Sequence, residues 1–154
     1  MSQVDQIYCL IRKIWVAAQP EEVVRQQLLS RMVHNLGFPA AHLVLEKGLK
    51  QLPHLELQDQ VVPERRGDLI CFAKNIHPSH SLYPLLLVEC KSIKLTPRVV
   101  HQVAGYNHFV QAHFIAVTNG QQIKTGWYNR EKAEYQFVDT LPSYQELLKA
   151  VGQH

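Results

Sequence analysis

Apolar and polar positions along the chain change period several times, and each change marks an expected element. Over 2–18, Ile7, Leu10, Ile11, Ile14 and Trp15 recur at helical spacing and Ser2-x-x-Asp5 resembles a capping box, so this stretch reads as an N-terminal helical extension. Tyr8 and Trp15 are then expected in a core or an interface, not as a ligand platform. Pro20 opens a second helix, whose apolar arc is Val24, Leu28, Leu29, Met32, Val33 and Leu36 and whose stop is Gly37. A strand is expected over 41–49, centred on Leu43-Val44-Leu45 and followed by Glu46. Residues 51–64 are polar, contain Pro53 and Pro63, and suggest an irregular strand or hairpin.

The clearest strand signals come next. Asp68-Leu69-Ile70-Cys71-Phe72-Ala73 should place Asp68, Ile70 and Phe72 on one face, with Leu69, Cys71 and Ala73 on the other. After a loop over 75–84, the run Leu85-Leu86-Leu87-Val88 leads into Glu89-Cys90-Lys91 and reads as a buried strand. Glu89 and Lys91 share a face, while Val88 and Cys90 share the other. The two strands form an expected hairpin whose carboxylates can meet. Thr96-Pro97 caps a helix to about 112, with Val99, Val103, Tyr106 and Val110 as its inner stripe and Gln102 flanking it. A strand over 113–117 closes at the turn Thr118-Asn119-Gly120, strand-like pieces follow over 123–128 and 135–138, and Ser143-x-x-Glu146 caps a last helix. This order predicts an α/β (α+β-like) fold, a mixed central β-sheet flanked by helices.

Length and composition narrow the class. The 154 residues suit a single domain over 1–154, and 46% hydrophobic with 19% charged residues is ordinary for a globule. A net charge of +3 permits an anionic partner without demanding one. Cys9, Cys71 and Cys90 sit in apolar segments at no metal-ligand spacing and read as reduced core residues of a cytoplasmic protein. Arg12 and Lys13 break the early apolar pattern, which argues against a signal peptide, and no run is long enough to span a membrane. None of the nine histidines pairs with cysteine at zinc-ligand spacing.

Two placements ask for a chemical explanation. Glu89 and Lys91 share a face at the end of a buried strand, where charges are costly unless they pair or bind something. They can serve as a metal carboxylate beside an ammonium, or simply as an ion pair at the sheet's edge. Glu22 and Arg25 fall on the apolar arc of the second helix. The helix dipole explains acids in the first turn, at Glu21 and Glu22, but not an acid and an arginine on the face meant for the core.

Taken in order, Glu22, Asp68, Glu89-x-Lys91 and Gln102-x-x-x-Tyr106 resemble the PD-(D/E)xK nuclease superfamily, and more narrowly the N-terminal nuclease domain of type I restriction enzyme R subunits. The local matches are Pro20-Glu21-Glu22-x-Val24-Arg25-Gln26, Arg66-Gly67-Asp68-Leu69-Ile70, Leu87-Val88-Glu89-Cys90-Lys91, Gln102-Val103-Ala104-Gly105-Tyr106-Asn107 and Thr118-Asn119-Gly120. Gly67 stands where the superfamily's name has proline. The resemblance implies a restriction-endonuclease-like fold and Mg²⁺- or Mn²⁺-dependent hydrolysis of DNA. Asp68 and Glu89 would hold the ion, with the backbone carbonyl of Cys90 and Glu22 as further ligands, and Lys91 would act on the attacking water. Gln102, Tyr106, Arg25 and Arg66 would meet the DNA backbone, with Lys94 and Arg98 nearby. Such R subunits use a helicase motor. No GxxxxGK[ST] motif occurs here, so the domain would act alone or with a separate targeting or motor chain. Cutting both strands would call for two sites, hence a homodimer. The alternatives are an inactive nuclease-like module that binds DNA or protein, and a structural subunit whose acids form internal salt bridges.

Overall fold

The computed structural model describes residues 5–48 and 66–152, and side chains at 48, 66 and 67 fall outside the description. The irregular strand or hairpin expected over 51–64 lies outside the described residues. A two-stranded ribbon, β1 (Gln6–Cys9) and β2 (Ile14–Ala17), precedes helix α1 (Pro20–His34). A six-stranded sheet follows in spatial order β3 (Leu43–Gly48), β4 (Arg66–Lys74), β5 (Leu82–Cys90), β6 (Phe114–Thr118), β7 (Ile123–Asn129) and β8 (Glu134–Val138). Among the described strands only β5 and β6 pair in parallel. Helix α2 (Pro97–Val110) is the crossover that a parallel pair requires, and α3 (Tyr144–Val151) ends the described chain.

The sheet is covered on both faces, as the uninterrupted apolar run of β5 demands. On one face, α1 (Val24, Leu28, Leu29, Met32) and α3 (Tyr144, Leu147, Leu148) pack on Leu69, Cys71, Leu86, Val88 and Cys90. On the other, α2 (Val99, Val103, Tyr106, Val110) packs on Ile70, Phe72, Leu87, Ile115 and Val117. The expected alternation is observed over Leu69–Ala73 and Leu86–Val88, although Leu85 and Leu86 share a face across a bulge, and the antiparallel hairpin is observed as well. The cap signals hold as well. Thr96 Oγ1 accepts from Val99 N–H at 3.3 Å, Ser143 Oγ accepts from Glu146 N–H at 3.2 Å, and Gly37 takes φ +75° just past α1. All three cysteines are free and buried.

The N-terminal expectation is corrected. Residues 6–17 are a hairpin, not a helix, with Tyr8 opposite Trp15 and Cys9 opposite Ile14. The segment is rich in β-branched and aromatic side chains, which suit strands. Lys13, at φ +57°, donates its N–H to the Cys9 carbonyl at 2.8 Å and closes the turn. Tertiary contact decides the matter, because Cys9 is wholly buried and Leu10 N–H donates to Gln26 Oε1 at 3.1 Å. Tyr8 and Trp15 consequently lie outside the core.

Candidate active site

The β4–β5 hairpin brings Asp68 and Glu89 together. The ladder pairs Leu69 with Val88, so Asp68 and Glu89 come next in antiparallel register, a spacing at which facing side chains interact. Here the strands part, and the Asp68 carboxylate replaces the ladder bond: its Oδ2 accepts from Cys90 N–H at 2.9 Å. Glu89 is 4% exposed and follows Leu87 in alternation, on the α2 side. Lys91 follows directly after the end of β5. Its backbone N–H donates to the Thr118 carbonyl at 2.8 Å, and Asn119 Nδ2 donates to the Ile93 carbonyl at 3.2 Å. The Thr118-Asn119-Gly120 turn, with Gly120 at φ +92°, thus braces the segment that carries Lys91.

Glu22 and Arg25 come from α1, against the opposite face of the sheet. Arg25, 5% exposed, grips Glu22 with two bonds, Nε to Oε2 at 2.8 Å and Nη2 to Oε1 at 2.7 Å. Its Nη2 also meets Glu46 Oε1 at 3.4 Å, and its Nη1 donates to the Asp68 carbonyl at 3.3 Å. Arg12, from the turn of the ribbon, donates to Glu22 as well, and Gln26 Nε2 reaches Glu22 Oε2 at 3.3 Å. This network explains the acid and the arginine on the core-facing arc: they satisfy each other, as buried charges must. Burial pushes the Glu22 carboxyl up, but hydrogen bonds and charge from Arg25, with Gln26 and Arg12, outweigh that and hold it below the usual glutamate range. Sequence reasoning missed Arg12, although an arginine interrupting an apolar stretch was its visible signal.

A cavity of about 300 Å³ opens between the ribbon, α1 and the sheet, lined by Val16, Ala17, Glu22, Arg25, Asp68 and Cys90 among others. Burial raises the Cys90 thiol, Asp68 and Glu89 add to that rise, and Arg25 opposes it, so these charges share one neighbourhood. The remaining expected residues separate. Tyr106 is 3% exposed within the α2 core cluster, whereas Gln102, one turn earlier, is exposed. Lys94 and Arg98 are exposed, and Arg66 begins β4 with its side chain outside the description.

The donor set can be weighed against a hard cation. Among the described residues no group of three or more His, Cys, Asp or Glu side chains stands ready to hold a metal. Glu22 is committed to Arg25 and Arg12. Asp68, with one oxygen on Cys90 N–H, and Glu89 are the carboxylates at the end of the β4–β5 hairpin. Mg²⁺ is commonly held by one or two carboxylates, keeping several waters and taking phosphate oxygens from its substrate, so this pair fits it.

Residues 20–142 match the family model described as type I restriction enzyme R protein N terminus. The chain belongs to that family. This family member also resembles a solved fragment, from Vibrio vulnificus YJ016, assigned to an HsdR subunit of a type I restriction enzyme. That likeness has 16% sequence identity and a TM-score of 0.53, and covers 85% of this chain. It supports the mixed sheet flanked by helices. The 154 residues span about a quarter (25%) of the Vibrio fragment's chain. No curated protein matches the chain significantly. Among the described residues no helix is long and apolar enough to cross a membrane.

Proposed function

We propose that this R-subunit N-terminal domain is a Mg²⁺- or Mn²⁺-dependent DNA nuclease of the PD-(D/E)xK type. The observation that carries the reading is the adjacent register of Asp68 and Glu89 at the parted end of the β4–β5 hairpin, with Lys91 two residues beyond Glu89. Asp68 and Glu89 would hold the ion, which when bound neutralises phosphate charge and lowers the pKa of the attacking water. Cys90 N–H holds Asp68 in orientation. Lys91 would orient that water, help to deprotonate it, or stabilise the pentavalent transition state. Arg25 sits beside the Asp68 backbone and would steady β4 where it approaches a phosphate. Gln102, exposed on α2, remains a candidate backbone contact, while buried Tyr106 would act by supporting α2.

As the R-subunit family implies, the domain would work with DNA and with other parts of a type I restriction system that supply targeting or translocation. Cleavage of linear, circular and single-stranded DNA, with Mg²⁺ or Mn²⁺ and with EDTA, tests the reading. Glu89→Ala and Lys91→Ala should abolish cleavage, and wild-type activity equal to both variants removes the enzyme claim. The lack of a three-ligand group among the described residues favours a second reading, a nuclease-like module that binds DNA without cutting it. Salt-dependent binding without turnover, and no Mg²⁺ binding by calorimetry, would select that module.

A further inference from the structure

The β1–β2 ribbon turns a pair of aromatic rings into solvent. Tyr8 and Trp15 are cross-strand partners whose ring centroids lie 5.5 Å apart at 65°. They are 44% and 63% exposed, on the face of the ribbon opposite to Cys9 and Ile14. The ribbon itself is anchored: Cys9 is buried against α1, Leu10 N–H is bonded to Gln26, and Arg12 is paired with Glu22. A compact aromatic patch on an anchored element marks a contact surface.

Its size and surroundings indicate the occupant. Full coverage of the two rings would bury roughly 250 Å², well under half of the ~800 Å² per partner in a stable protein interface. Flat rings suit the faces of nucleobases, which stack on aromatic side chains. Lys13, at the tip of the ribbon, is exposed and has no ion pair among the described residues, so its ammonium is available to a phosphate. The patch also continues into the candidate active site. Val16 and Ala17 of β2 line the cavity that Asp68 and Arg25 line, and Trp15 lies two residues, about 7 Å, along the strand from Ala17. A duplex hides base faces in its stack, whereas a single strand offers them.

We propose that Tyr8 and Trp15 form a stacking platform for the unpaired bases of single-stranded DNA leading to the Asp68 cavity. The choice of DNA rests on the nuclease reading; the platform does not depend on cleavage. Fluorescence anisotropy of a labelled oligothymidine of about twenty nucleotides, and of a duplex of equal length, measures it in EDTA. The single strand should bind more tightly than the duplex. Trp15→Ala should weaken oligothymidine binding about tenfold or more and Tyr8→Ala should also weaken it, while Trp15→Phe stays within about threefold of wild type. Melting curves should not move, because both rings lie outside the core. Equal affinity for single strand and duplex, or undiminished binding by both alanine variants, overturns the platform. Self-association in sedimentation that Trp15→Ala abolishes, with DNA binding unchanged, also overturns it and makes the patch a protein contact. Trp15-dependent binding without metal-dependent cleavage leaves the platform and removes the nuclease reading; cleavage with Trp15-independent binding does the reverse.

Discussion

The Asp68 carboxylate accepts the backbone N–H of Cys90 at 2.9 Å, across the point where β4 and β5 part. One oxygen thus completes the backbone of the sheet and the other is left for chemistry. Asp68→Asn keeps an acceptor and should change stability by less than about 1 kcal/mol, while abolishing metal-dependent cleavage. Asp68→Ala strands a buried N–H and should cost about 1–3 kcal/mol. Urea unfolding of both variants checks this. Equal destabilisation by Asn and Ala would make the charge itself structural.

The two-bond grip of Arg25 on Glu22 predicts a different outcome at the other acid. Arg25 is 5% exposed, and without Glu22 it keeps the bond to the Asp68 carbonyl at 3.3 Å and, as its carboxylate partner, the more distant Glu46 at 3.4 Å. Glu22→Gln should therefore cost about 2–4 kcal/mol. The double variant Glu22→Met, Arg25→Met should recover much of that loss, which a double-mutant cycle would show as strong coupling. Unchanged stability together with weaker Mg²⁺ binding by calorimetry would instead make Glu22 a metal ligand.

The same pair sets a pH dependence. Burial alone would raise the Glu22 pKa, yet Arg25, Gln26 and Arg12 hold it below its unfolded value. The unfolded chain then binds more protons, so the stabilisation is complete above about pH 4.3 and is lost as pH falls through the lowered folded value. Wild type should lose stability more steeply than Glu22→Gln between about pH 5 and pH 3 in urea unfolding. Parallel curves for the two proteins would refute the assignment.

Gly126 makes the last prediction. It pairs with Phe137, and a Cβ placed there would lie 2.5 Å from Phe137 Cε1 and 3.1 Å from the Gln136 carbonyl oxygen. Gly126→Ala should displace the ring from its cross-strand seat and cost about 1–2 kcal/mol. Adding Phe137→Ala should return part of that loss, leaving the contact with the Gln136 carbonyl. Thermal melts of the two single variants and the double variant measure the coupling, and additive losses would mean that the ring does not meet the new methyl.

Much of this arrangement was legible locally. The apolar run before Glu89, the strict alternation around Asp68 and the Thr96-Pro97 cap are signals between near neighbours, and backbone geometry converts them directly into strand, face and helix start. They were enough to bring Asp68 and Glu89 into one hairpin, in adjacent register. The Thr118-Asn119-Gly120 turn was equally local, since Asn119 Oδ1 binds the N–H groups of Gln121 and Gln122 itself, at 3.0 and 2.8 Å.

Other features depended on which surfaces came to lie against one another. Residues 6–17 carry a helical spacing, and only the burial of Cys9 on α1 and the bond from Leu10 to Gln26 select the ribbon that exposes Trp15. Glu22 has an acid's sequence context at a helix start, but its role turns on Arg12 and Glu46, which reach it and Arg25 from separate elements. Gln102 and Tyr106 share a side of α2 by spacing alone, yet the sheet buries one and leaves the other in water. Periodicity states which side chains travel together along a segment; the neighbour that a charge or a ring finally meets is decided by packing across the chain, where desolvation selects among partners far apart in sequence.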